Sequence, residues 1–287
     1  MTPIQIGNIT VSRIVELEGP NSPRFTASLF PELNDDVLAP HLEWLAPRFI
    51  DSASGQLVMS IHAFVVRTRH HTIVVDTCIG NDKNRNVSYW NQRHGPFLDD
   101  LKKAGVQPEA VDYVLCTHLH VDHVGWNTRL EEGRWVPTFP NAKYLFSRDE
   151  WNYWQHKAGD GSGDMIDDSV RPIIDAGLAE LVEGEHAIDD DATIIPTPGH
   201  TPGHVSLRLS SNGSEGVITG DMIHHPFQFA LPEITSAFCV DPDLARATRQ
   251  AFLDRYAERD VTILGTHFPA PTAGRIVGHG DAWRFEG

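Results

Sequence analysis

Apolar and polar residues alternate from Ile4 to Glu16 around a turn at Gly7-Asn8, which predicts a hairpin or two short strands. Residues 19–57 lose that rhythm. Prolines at 20, 23, 31, 40 and 47 fall among Phe25, Phe30, Trp44, Leu45 and Phe49, so no regular element can span the segment, yet its apolar anchors need burial. It reads as an irregular elaboration over the core, a pocket wall or a subunit contact. Short β-rich runs follow at His62–Val66 and Thr72–Val75, paired strands that end at Asp76. Between Pro96 and Ala104, Phe97, Leu98 and Leu101 share one helical face, and Gly105 supplies the stop.

Val111–Cys116 reads as a buried strand. Ser147 with Glu150 three residues on has capping-box spacing and opens a helix carrying Trp151 and Trp154. Ala192–Ile195, Val205–Leu209, Gly216–Thr219 and Val261–Leu264 are further strands. Asp241-Pro242 starts a helix whose expected apolar stripe is Leu244, Ala251, Phe252 and Tyr256. Strands and helices mix throughout, without linker or short-period repeat. Residues 1–287 are therefore expected to form one α/β domain, with 19–57 as its N-terminal elaboration.

Composition narrows the function. Among 287 residues, 23 basic against 39 acidic side chains leave a net charge of −16, which argues against nucleic acid and anionic membrane as partners. Three cysteines, Cys78, Cys116 and Cys239, imply no disulfide framework and fit a reducing, cytoplasmic setting. No apolar run is long enough to span a bilayer, and Met1 to Ile14 lacks the regions of a signal peptide. Histidine is the outlier, at 16 residues.

Directly after Val111–Cys116 comes Thr117-His118-Leu119-His120-Val121-Asp122-His123. At this composition such a His-x-His-x-Asp-His string arises by chance roughly 0.003 times per chain. Neutral imidazoles and carboxylates suit zinc and similar divalent ions, and alternate side chains on a strand-to-loop turn can aim at neighbouring points. Pro198-Gly199-His200-Thr201-Pro202-Gly203-His204, Gly220-Asp221 and Gly265-Thr266-His267 each follow another expected strand. An α/β scaffold gathers such strand-end loops into one site.

In their order and context these motifs resemble the metallo-β-lactamase superfamily across about residues 60 to 270. The resemblance implies a four-layer αββα sandwich, α/β in class, with two divalent metal ions at one edge. His118, His120 and His200 would hold the first, Asp122, His123 and His267 the second, and Asp221 would bridge them. Zinc is the first choice, with manganese, cobalt or iron also accepted. Asp76 matches the acid kept beside the ligand loop, although Cys78 replaces a glycine of that motif. His204 is assigned to support rather than ligation.

Two such ions ionise a water at neutral pH and polarise a carbonyl or phosphoryl oxygen, which points to hydrolysis of an ester-like bond. His120 stands where redox members of the superfamily carry glutamate. A bridging Asp221 is unlike true β-lactamases, and no clear basic set suggests a glutathione thioesterase. The stretch from Gly220 through Thr235 looks most like the branch containing methyl parathion hydrolase, lactonases and arylesterases. In acyl-homoserine lactonases a tyrosine follows the bridging aspartate by three residues, and here that position is His224, a candidate proton donor to the leaving group. Asp122, His224 and Asp221 are thus the expected catalytic residues, and Trp126, Trp151, Trp154, Phe227 and Phe229 the expected apolar pocket. The leading expectation is a lactone or carboxylic ester substrate with an apolar portion. A phosphotriesterase comes second, ahead of a thioesterase or a binding protein of the same fold. A small-molecule ester or lactone is the expected partner, with a homodimer through the N-terminal elaboration as a further expectation.

Overall fold

A computed structural model describes residues 3–157 and 165–287; residues 1, 2 and 158–164 of the expected 1–287 domain lie outside the described residues. Two seven-stranded sheets form its centre. The first takes, in spatial order, β1 (Ile4–Ile6), β2 (Ile9–Pro20), β3 (Val58–Arg67), β4 (Thr72–Val75), β5 (Tyr113–Leu115), β8 (Lys143–Ser147) and β9 (Ala179–Val182), with β6 (Thr128–Glu131) and β7 (Arg134–Pro137) as a separate hairpin. The second runs β10 (His186–Ala187), β11 (Ala192–Pro196), β12 (Val205–Ser211), β13 (Ser214–Ile218), β14 (Val261–Leu264), β15 (Ala273–His279) and β16 (Ala282–Glu286).

Alternation along the strands assembles the layers, because successive side chains point to opposite faces. Phe64, Val66, Ile73, Val75 and Leu115 of the first sheet meet Leu207, Ile218 and Leu264 of the second in a shared core. Their neighbours Val65, Val74 and Val114 face outward against Phe97, Leu101 and Trp154. On the far side, Val217 and Ile263 pack under Phe252, Leu253 and Tyr256 of the helix Pro242–Tyr256. The result is the four-layer αββα sandwich. Among the described residues no helix is long and apolar enough to cross a membrane.

The N-terminal segment differs in detail from its sequence pattern. β2 continues through Pro20, which pairs with Val58, so the irregular stretch starts at Asn21. Short helices at Pro23–Leu29, Asp35–Leu38 and Leu42–Leu45 then bury Leu29, Phe30, Leu45 and Phe49 against the second sheet. A register shift between Val15 and Leu17 leaves Glu16 out of the ladder. Its carboxylate accepts from Ile79 N at 2.9 Å, Gly80 N at 3.2 Å and Trp126 Nε1 at 2.8 Å, anchoring the loop that leaves β4.

The last helix also departs from expectation. Its buried face is Ala245, Arg249, Phe252, Leu253 and Tyr256, while Leu244 is 41% exposed and Ala251 is exposed. The register turns because Arg249 is buried: its Nε donates to Met222 O at 3.1 Å and its Nη1 to Ile234 O at 3.2 Å. Backbone carbonyls thereby pair the Nε and Nη1 donors of a guanidinium drawn into the core.

Candidate metal centre

β4 and β5 run parallel, as do β13 and β14, so the loops beyond their C-terminal ends emerge along one edge of the sandwich. Asp76 leaves β4 with φ of 57° and accepts from Thr117 N at 2.8 Å. The Thr117 hydroxyl lies 3.1 Å from His118 Nδ1, turning Nε2 of that ring toward the site. Across the sheets, Val205 N donates to Thr117 O at 2.9 Å, joining the two loops that carry His118 and His200.

All seven side chains converge in two groups. His118, His120, His200 and Asp221 form one, and Asp122, His123 and His267 the other; each can hold a metal ion. In the first, His120 Nδ1 lies 3.0 Å from His118 Nε2 and 2.9 Å from His200 Nε2. Three ring nitrogens so placed cannot satisfy one another, since a neutral imidazole has one donor and one acceptor nitrogen. Asp221 faces both groups: Oδ2 is 3.7 Å from His118 Nε2 and 3.6 Å from His200 Nε2, while Oδ1 is 3.3 Å from His123 Nε2 and 3.1 Å from His267 Nε2. Both Asp221 Oδ1 and His123 Nε2 are buried without a hydrogen bond. Imidazole nitrogens and carboxylate oxygens converging in this way fit two divalent cations of zinc type.

Protonation tendencies divide the groups in the same way. Burial pushes His118 and His200 well below the ordinary imidazole range and His120 down to about 4, so the three rings of the first group are neutral. Burial opposes charge on His123 and His267 too, but carboxylates outweigh it. Asp221, Asp76 and Asp122 hold His123 well above its usual range, and Asp221 and Asp122 raise His267. Burial would also raise Asp221, yet His123, His267, His224 and His118 hold it well below the carboxylate norm. Protons thus collect where the carboxylates call for positive charge.

The rear nitrogens of the rings are braced by different partners. His267 Nδ1 donates to Ser60 O at 2.8 Å, His123 Nδ1 touches Asp76 Oδ2 at 2.9 Å, and His200 Nδ1 lies 3.4 Å from Cys239 Sγ. His204 ligates in neither group; its Nε2 contacts the backbone of Asp221. Gly220, at φ of 56°, permits that approach, since a Cβ there would meet His204 Nε2 at 2.5 Å. His224 Nε2 is 3.3 Å from Asp221 Oδ2.

Above the two groups opens a cavity of about 690 Å³, bordered by His120, Asp122, His200, Asp221, His224 and His267. Phe25, Leu29, Met59, Ile61, Tyr89, Trp90 and Trp154 supply its apolar walls. Of the five aromatics expected there, Trp154 lines it and the others are corrected. Trp126 stacks on Phe97 at 5.2 Å, Phe227 packs edge-on to Phe30 at 5.0 Å, and Phe229 stacks on Phe285 at 5.8 Å, all three buried in core layers. Trp151 turns toward Arg171, 5.7 Å away. The broken segment 21–29 and the loop 81–95 add Phe25, Leu29, Tyr89 and Trp90 to the wall instead. The proline-interrupted apolar anchors signal the former; no periodicity marks the latter.

Glu150 is a buried carboxylate beside the site that the sequence pattern conceals. Ser147 occupies the N-cap but makes no side-chain cap bond, and Glu150 turns inward rather than closing a capping box. Its Oε2 accepts from Leu119 N at 3.0 Å and Trp154 Nε1 at 2.8 Å, and its Oε1 from Gly203 N at 2.9 Å.

Comparison with known proteins adds to this geometry. The family model described as Metallo-beta-lactamase superfamily matches residues 58–267. An N-acyl homoserine lactonase of Bacillus sp is 26% identical over 180 residues, 57% of this chain and 64% of that protein. The N-acyl homoserine lactonase AttM of Rhizobium radiobacter is 30% identical over 181 residues, 60% of this chain and 64% of that protein. The chain therefore spans a little under two thirds of the length of these relatives. Among solved structures, the hydrolase AbOPH of the beta lactamase superfamily has a TM-score of 0.80 at 27% identity, covering 99% of this chain and 96% of its own. AidC, a dizinc quorum-quenching lactonase solved with the product N-hexanoyl-L-homoserine, has a TM-score of 0.77 with the same coverage; at 21% identity that likeness shows the fold.

Proposed function

The chain belongs to the metallo-β-lactamase superfamily, and from that membership we propose that it is a hydrolase that holds two divalent cations and opens lactones or carboxylic esters bearing an apolar portion. One observation carries this reading: Asp221 stands between two groups of ligand atoms, Oδ2 at 3.6 Å from His200 Nε2 and Oδ1 at 3.1 Å from His267 Nε2, on the floor of an apolar-walled cavity. His118, His120 and His200 would hold one cation, Asp122, His123 and His267 the other, and Asp221 would touch both. Zinc suits the donor set best. The relatives named N-acyl homoserine lactonases favour a lactone over other esters.

Bound there, such a pair of cations supplies an ionised water at neutral pH and polarises the substrate carbonyl. The chain's own residues do the rest. Asp122 and Asp221 border the cavity and orient the attacking water by accepting its hydrogen bond. Addition to the carbonyl carbon is followed by cleavage of its bond to the ring or ester oxygen, and that oxygen takes a proton from His224 Nε2. Phe25, Met59, Ile61 and Trp154 enclose the apolar portion and exclude water from it. We assign this work to one domain over residues 1–287, acting on a small molecule in the cytoplasm, a setting that suits three free, buried cysteines.

Metal analysis of protein purified without added chelator, with kcat/KM across lactones of increasing acyl length, aryl esters, thioesters and aryl phosphotriesters, tests the reading. Two cations per chain and a ranking led by lactones or carboxylic esters are expected, with His118→Ala abolishing turnover. A ranking led by phosphotriesters or thioesters would replace the substrate class. No turnover by metal-loaded protein on any of them would remove the enzyme assignment.

A further inference from the structure

Leu119 and Gly203 sit on the two separate loops that carry the first group of ring nitrogens. Leu119 lies between His118 and His120, and Gly203 lies three residues beyond His200. A single carboxylate takes both of their N–H groups, Glu150 Oε2 from Leu119 at 3.0 Å and Oε1 from Gly203 at 2.9 Å. Glu150 is 1% exposed, so water cannot substitute for it. Its third donor is the indole N–H of Trp154, whose ring lies 5.3 Å from that of His120. Hydrogen bonds from main-chain N–H groups to a carboxyl oxygen are directional, and here they fix the separation of two chain segments rather than one turn.

The second group is held by other means. His123 O accepts from Thr77 N at 2.7 Å, its ring is against Asp76, and His267 is tied to Ser60 O. Glu150 touches none of these.

We propose that Glu150 is a positioning residue that sets the spacing of the His118–His120 and His200 loops, and hence selectively fixes affinity for the cation of the three-histidine group. The inference rests on the two-cation reading. Glutamine at this position keeps one acceptor oxygen and sets an NH₂ against a donor, so one of the two loops loses its tether. Gly203→Ala reaches the same contact from the other side without altering the carboxylate: a Cβ there would meet Glu150 N and Ser147 Oγ, each at 2.5 Å, and push the loop away.

The experiment titrates metal-stripped protein with Zn²⁺ against a chromophoric chelator, for the wild type, Glu150→Gln and Gly203→Ala, alongside the melting temperature without metal. The wild type should give two dissociation constants. In each soluble variant one of them should weaken by roughly 10- to 100-fold while the other stays put. Cobalt substitution should alter one of the two visible-absorption components in the same variants. Two constants in the wild type that are unchanged in the variants, or that weaken together in step with the melting temperature, overturn the inference alone. A wild type that takes up fewer than two cations overturns the two-cation reading, and this assignment with it.

Discussion

The backbone N–H of Asp221 donates to Nε2 of His204 at 2.8 Å. With Nε2 accepting, the proton of the ring must sit on Nδ1, which donates to Thr197 O at 3.0 Å. A fully buried imidazole in one tautomer thus holds the main chain of the residue that faces both ligand groups. His204→Phe keeps the volume and removes the acceptor, leaving the Asp221 N–H unpaired. Such outer contacts are worth roughly 10- to 100-fold in metal affinity or activity. A drop of that size in kcat/KM, with the far-ultraviolet circular dichroism retained, is the expected result; an undiminished kcat/KM would show that Asp221 needs no help from this ring.

His224 makes a separate and sharper prediction. It borders the cavity, and its Nε2 is 3.3 Å from Asp221 Oδ2, so it can reach a leaving oxygen without serving as one of the seven ligands. His224→Phe should therefore lower kcat by roughly 100-fold or more, within the range of general-acid contributions, while zinc content stays at the wild-type level. The loss should be larger for alkyl lactones than for aryl esters, because a phenoxide leaves readily without a proton. Equal losses on both substrate types would assign His224 to binding instead.

Loading the metal should release protons. Burial opposes charge on both rings, but Asp221, Asp76 and Asp122 outweigh it at His123, and Asp221 and Asp122 at His267, so without cations both rings keep a proton to higher pH than a free imidazole. A ligating nitrogen must be deprotonated, so uptake at pH 7 should expel about one to two protons per chain. Apparent affinity should consequently rise with pH. Calorimetric titration of zinc in two buffers of different ionisation enthalpy measures the number directly. Identical heats in the two buffers would mean that the rings were neutral beforehand.

The residues that place the layers and gather the seven side chains stand out in the sequence because each has a short-range signature. The strands alternate, and each candidate ligand follows a β-rich run and a turn. What stayed hidden depends on partners far along the chain. Ser147 and Glu150 have the spacing of a capping box, but Glu150 finds stronger partners in Leu119 and Gly203, which no local pattern announces. Arg249 sits on the buried stripe of its helix because carbonyls of Met222 and Ile234 converge on it. Trp126 and Phe229 look like pocket residues by their nearness to ligands in sequence. Yet helix register turns them into core, and much of the cavity wall comes from segments 21–29 and 81–95, which have no periodicity to read.

Acid stability offers a test confined to one ring away from the ligands. His225 is fully buried, its Nε2 donates to Phe49 O at 2.9 Å, and its Nδ1 accepts from Phe227 N at 3.3 Å. A second proton would have to displace the Phe227 donor, and burial pushes the ring down to about 3 despite the favourable Phe49 contact. In the unfolded chain the same imidazole titrates near its ordinary value of about 6.5. The folded value is depressed, so the stabilisation is complete above the unfolded value. It is lost as pH falls from about 6.5 toward 3, at up to about 1.4 kcal/mol per pH unit. Urea unfolding of metal-stripped protein between pH 8 and pH 4.5 isolates this contribution when wild type is compared with His225→Gln. The variant should be less stable at pH 8, because its amide cannot satisfy both partners as the ring does. The gap should then narrow steadily below pH 6.5, since only the wild type gains a proton at this position on unfolding. Parallel curves over that range would mean that the ring accepts its second proton in the folded chain, and that the Phe227 bond yields more easily than its burial implies.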